Sequence, residues 1–138
     1  MPEQTDTAAA FPSSLGTLQS KYDFEATVTR LKAALAARGV TLFADIDQSA
    51  AAAKAGMNLR PTRLLLFGNP KAGTPVMEAN PHAALVLPLK AVVWEDPANG
   101  VWVDYQDATK TLELDYKVAP NLIAPLKPMP VLLSAALA

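Results

Sequence analysis

Four apolar residues, Phe24, Val28, Leu31 and Leu35, are spaced so that they fall on one face of a helix with a 3.6-residue period. This stripe constrains the fold most, because an amphipathic helix needs a second layer to bury its apolar face. Asp23 stands where a side chain can accept from the free amides of a helix start. Arg38 suits the negative C-terminal end, and Gly39 can take the left-handed conformation that stops a helix. The expected helix runs over 23–38, about 24 Å at 1.5 Å per residue.

The second layer is expected to be a sheet. Directly after the helix, Val40, Leu42, Ala44 and Ile46 alternate with Thr41, Phe43 and Asp45, the period of a strand. An alanine-rich helix is predicted over 49–55, closed by Gly56. The run 64–67 is continuously apolar and predicts a strand buried on both faces. Thr74 followed by Pro75 predicts a helix start, and Asn80-Pro81 its end. Strands are predicted over 89–95 and 101–105, joined as a hairpin across Pro97 to Gly100, and a weaker one over 17–22. The prolines between 120 and 130 argue against one long helix there. The tail 131–138 reads as a docked helical turn or a mobile end. The expected fold class is α+β with an alternating α/β start: a mixed sheet with packed helices, whose last two strands form a C-terminal hairpin. Its expected organisation is a mobile leader over 1–16, a single domain over 17–118, and a Pro-rich C-terminal extension over 119–138.

Composition limits the chemistry. The chain has 138 residues, which favours one domain, and no cysteine, which removes disulfides, thiolate metal sites and cysteine nucleophiles. Its single histidine, His82, cannot build a multi-histidine metal centre, and it reads as an exposed turn residue. Twelve basic and thirteen acidic side chains give a net charge of −1, without the signature of a nucleic-acid or polybasic membrane binder. The first 20 residues lack lysine, arginine and a signal-length apolar run, and no uncharged stretch approaches the ~20 residues of a spanning helix. The expected location is the cytoplasm of a bacterium.

Three constellations invite a functional reading. The loop 68–74, Gly-Asn-Pro-Lys-Ala-Gly-Thr, follows a strand and is expected to open a helix, so its amides and the helix dipole favour a small anion. It has the outer spacing of a phosphate loop but carries Thr74 where that motif has lysine, which argues against nucleoside triphosphate hydrolysis. The expected ligand groups are Gly68, Asn69, Lys71, Gly73 and Thr74, with Lys90 from a neighbouring strand. The alternative is a tight turn held by Asn69 and Thr74. Charge is also uneven: residues 54–90 carry a net +4 and residues 95–115 a net −5, which can steer a ligand or draw two subunits together. Finally, Trp94 and Trp102 flank the expected hairpin. An edge strand there would need covering, and pairing with a second copy is a ready solution.

Other residues carry less. Glu95 and Asp96 point to opposite faces of a strand, and Asp45 with Asp47 supplies too few ligands for a cation. Met57 and Met77 read as core or interface rather than as haem or copper ligands. No catalytic set, metal site or cofactor is expected.

The strings GMNLRPTRLLLFGNP (56–70), FGNPKAGT (67–74) and LPLKAVVWED (87–96) resemble the bacterial and archaeal family catalogued as domain of unknown function 302, over about 22–107. The resemblance implies a small α+β domain that dimerises and has no established activity. The family usually carries Asp-His where this chain has Asp47-Gln48, and Leu-Asp-Leu-Pro where it has Leu85-Val86-Leu87-Pro88. If that histidine and aspartate form a base and its orienting group, this chain lacks their chemistry. If they are structural, Gln48 or Ser49 takes over a helix-capping role. The expected function is a non-enzymatic, homodimeric domain that binds a small ligand or a partner, with an anion as one candidate ligand. The alternatives are an enzyme acting on a small anionic substrate at 68–74, or a structural interaction module.

Overall fold

A computed structural model of the chain describes residues 15–138. The leader expected over 1–16 lies outside them, except for its last two positions, which open the first strand. Helix α1 (Phe24–Ala37) forms as the stripe requires. The Asp23 side chain accepts from the Ala26 amide, Arg38 follows the last turn, and Gly39 has φ +69°. Phe24, Val28, Leu31 and Leu35 are all buried, with Leu31 and Leu35 each 1% exposed.

The strands are β1 (Leu15–Ser20), β2 (Thr41–Asp47), β3 (Thr62–Gly68), β4 (Leu89–Glu95) and β5 (Val101–Gln106). They form one sheet in the order β1-β5-β4-β3-β2. Every pairing is antiparallel, which corrects the expected mixed sheet. The short helix α2 (Gln48–Lys54) between β2 and β3 does not cross the sheet, so it returns the chain beside β2 in the opposite direction. A second correction concerns the hairpin. β4 and β5 do form it, but they are interior strands, and β1 and β2 are the edges.

All buried strand side chains, among them Leu65, Phe67, Val93 and Val103, point to the face covered by α1 and by the last helix, α6 (Met129–Ala136). Among the described residues no side chain of the opposite face is buried, and no second layer covers it. The expectation that 64–67 is buried on both faces therefore holds for Leu65 and Phe67 but not for Leu64 and Leu66. The tail is tied back to α1: Arg30 Nε donates to the Ala136 carbonyl at 2.8 Å, its guanidinium stacks 4.1 Å from the Tyr22 ring centroid, and Leu133 is 1% exposed. A smaller cluster, including Val76, Leu112 and Ile123, joins α3 (Pro70–Ala79), α4 (Ala108–Leu114) and α5 (Pro120–Ile123). Among the described residues no helix is long and apolar enough to cross a membrane.

One close approach demands glycine. Gly16 pairs with Tyr105, and a Cβ at Gly16 would lie 2.1 Å from the Tyr105 ring. Gly16→Val is expected to displace that ring and cost about 1–2 kcal/mol of stability, as overpacking does. Urea denaturation measures it, and a Gly16→Val substitution that costs stability in the wild type but not in a Tyr105→Ala background confirms the cause.

Candidate functional site

β3 ends at Gly68, and Asn69 caps the helix that follows. Its side chain accepts from the Lys71 amide at 2.9 Å, with Pro70 in the first helical position. Helix α3 thus starts at Pro70, five residues before the expected Pro75. The signal was the right one, a capping residue followed by proline, but Asn69-Pro70 comes first and prevails. The consequence is chemical. Ala72 and Gly73 donate to the Asn69 carbonyl at 2.9 Å, so the amides that would have cradled an anion are engaged locally.

The same stretch builds a different site. Where β3 ends and β4 begins, a cleft of about 450 Å³ opens between Phe43 of β2, Leu66 of β3, Met77 of α3, Leu87, Leu89 and Leu126. Gly68, Asn69 and Gly73 complete part of its lining. Three of the six expected ligand residues are therefore brought together, but as the wall of an apolar cleft. Lys71 and Thr74 sit exposed on α3. Lys90 lies on β4 outside the cleft, its amine donating to the carbonyls of Val86 and Pro88 at 3.2 and 3.3 Å.

Gly73 is a small residue of this wall. It lies inside a helix without a positive φ, where glycine costs about 1 kcal/mol relative to alanine. A Cβ there would meet Leu87 Cδ1 at 3.6 Å and Met77 at 3.9 Å, ordinary contact distances. The fold does not require glycine; its absent side chain leaves room in the cleft. The apolar wall, with Phe43, Leu66, Met77, Leu87, Leu89 and Leu126, carries no site signal in the sequence. Phe43 is the extra residue of a bulge in β2, between the pairs Leu42–Phe67 and Ala44–Leu66, and a bulge is invisible to a period-two pattern.

The cleft lining contains no titratable side chain. Displaced titrations belong to structural pairs elsewhere. Asp45 takes two hydrogen bonds from the Arg63 guanidinium, at 2.8 and 2.6 Å, and an ion pair from Lys32, which hold its carboxyl at about 2 despite partial burial. The same bonds raise Arg63. Asp96 is lowered by the indole N–H of Trp102 and by the backbone amides of Gly100 and Ala98, which it organises into the β4–β5 turn. Asp47 caps α2 by accepting from the Ala50 amide, so the cap falls one residue before Gln48, while Ser49 instead bridges Arg60 and Thr62. Asp45 and Asp47 are thus both committed to protein partners. Val86, the other position of departure, packs against both hydrophobic clusters.

Fold and site together define a small α+β domain with helices on one face of an antiparallel sheet and an apolar cleft at its end. The family described as "Domain of unknown function DUF302" matches residues 16–129, and the chain belongs to it. The crystal structure of an uncharacterized conserved DUF302 protein from Bacillus stearothermophilus shares this fold, with a TM-score of 0.76 over 91% of this chain and 97% of that one, at 19% identity. The chain is also 36% identical over 100 residues to the fluoride-specific ion channels FluC 1 of Brucella suis and FluC 1 of Brucella abortus. That match covers 72% of this chain but only 39% and 37% of those relatives, so it spans under two fifths of their length.

Proposed function

We propose that this domain is a non-catalytic binding module whose ligand is a small, largely apolar molecule held in the cleft beside α3. The cleft itself carries the reading. At about 450 Å³ it lies within the range of ligand pockets, its walls are aliphatic and aromatic, and Asn69 is the polar side chain at its rim. A catalytic site would bring titratable groups to bear on the ligand, and the lining supplies none. The lining also offers a small hard anion few donors. An anion at 68–74, the reading suggested by sequence alone, is its rival.

The test follows the amide signals of Gly68, Asn69 and Gly73 by NMR. The wild-type chain is titrated with short-chain aliphatic and aromatic fragments, and separately with phosphate. The expected result is a saturable shift of all three amides with apolar fragments and none with phosphate. Gly73→Leu, which places a side chain among Leu87 and Met77, is expected to abolish the response while leaving the fold intact, because leucine is the better helix former. Shifts with phosphate that vanish in Lys71→Ala would instead establish the anion site.

A further inference from the structure

From residue 36 to residue 64 no side chain is buried, although the stretch contains β2 and α2 and carries Leu42, Phe43, Ile46, Met57 and Leu59 exposed. A seven-residue helix and an edge strand gain little from propensity alone and are normally held by packing. The uncovered sheet face next to them is equally unprovided for. Read across the strands, one row on that face runs Ile46–Leu64–Val92–Asp104–Thr17. The adjacent row begins Ala44–Leu66–Lys90. The β2–β4 half is thus an apolar patch of Ile46, Leu64, Leu66 and Val92, bordered by one cation, Lys90, and one anion, Asp104.

We infer that this half of the sheet face is the interface between two copies of the chain, packed face to face. The charge pattern selects a second copy as the occupant. Lys90 and Asp104 stand one strand and one row apart. A twofold axis lying in the interface as the perpendicular bisector between them exchanges their positions, so each lysine faces the partner copy's aspartate. The same axis passes close to Val92 and Leu64, which places the apolar patch at the centre and the charges beside it. No other charge on the patch needs neutralising, since Asp45 points to the opposite face and is paired with Arg63 and Lys32. Trp94 and Trp102, stacked with ring centroids 6.2 Å apart, form the neighbouring row, with their indole N–H groups donating to Asp104 and Asp96. The self-association expected at a hairpin edge is thereby moved from an edge that does not exist to the open face of the interior strands.

Light scattering after size exclusion and sedimentation velocity test this on the full chain. The wild type is expected to be a dimer at micromolar concentration, and to weaken with added salt. Leu64→Glu and Ile46→Glu are both expected to give monomers with unchanged circular dichroism. Ile46 is already 39% exposed, so its substitution separates loss of the interface from loss of the fold. Lys90→Glu, which would set two carboxylates together, is expected to raise the dissociation constant by about tenfold or more. A wild-type chain that stays monomeric up to millimolar concentration overturns the proposal, as does a dimer that survives both Leu64→Glu and Ile46→Glu. A dimer lost in those two but indifferent to Lys90→Glu overturns the twofold arrangement.

Discussion

Leu31→Ala is expected to destabilise the protein by about 3–5 kcal/mol, the largest effect of any single truncation argued for this fold. Leu31 is 1% exposed and sits at the centre of the α1 stripe, in the cluster that also contains Leu65, Val93, Val103 and Leu133. Removing its side chain loses the transfer free energy of three carbons and leaves a void between a helix and a sheet, neither of which can collapse into it. The helix is fixed at both ends, by Asp23 and Gly39, and along its length by Arg30 to the carboxyl-terminal segment. Thermal or urea unfolding measures the loss. A change below about 1 kcal/mol would mean that the site relaxes freely, which close packing does not allow.

That helix was legible because every cue agreed. The stripe, the cap and the terminating glycine all pointed to one segment, and the core fills the face they define. β4 was equally legible: its residues alternate Leu89, Ala91, Val93 inward against Lys90, Val92, Trp94 outward, and its ends are set by Pro88 and the Asp96 turn. The sequence does not fix the α3 start because two capping pairs, Asn69-Pro70 and Thr74-Pro75, lie five residues apart, and local chemistry does not rank them. What ranks them is packing, since Val76 must reach the smaller cluster with Leu112 and Ile123.

The sheet topology was hidden for another reason. A helix between two strands reads as a crossover, yet α2 is a helix of only seven residues that packs beside β3, and nothing in its composition separates the two cases. The site was half legible for a related cause. The 68–74 segment does line a cleft, but its opposite wall comes from Phe43, Leu87 and Leu126, which are brought there by tertiary structure alone. Without that wall the segment's glycines suggest backbone exposed to an anion; with it, they provide space beside apolar side chains.

The second large effect is expected at Asp45, and it is one that acid removes. Asp45 and Arg63 are each about one-fifth exposed, and they lie on the helix-facing side of β2 and β3. Their bidentate bonds, joined by Lys32 from α1, tie an edge strand with no buried side chain to the core helix. A carboxyl held at about 2 in the folded state against an ordinary 3.8 corresponds to about 2 kcal/mol of stability. The sign follows from the depressed value. The contribution is complete above the unfolded-state pKa, falls as the pH drops below 3.8, and is gone once the folded-state carboxyl protonates near 2. Asp45→Asn is therefore expected to cost about 2 kcal/mol at neutral pH, keeping the size of the side chain while removing its charge. The difference between wild type and variant is expected to shrink through the acid range and to vanish near the lower pKa. Urea denaturation of both proteins across that range measures it. A difference that stays constant down to the lowest pH would mean that Asp45 acts through packing and not through its charge. In that case the ordering of β2 would have to come from elsewhere, with the partner copy over Ile46 and Leu64 as the remaining source.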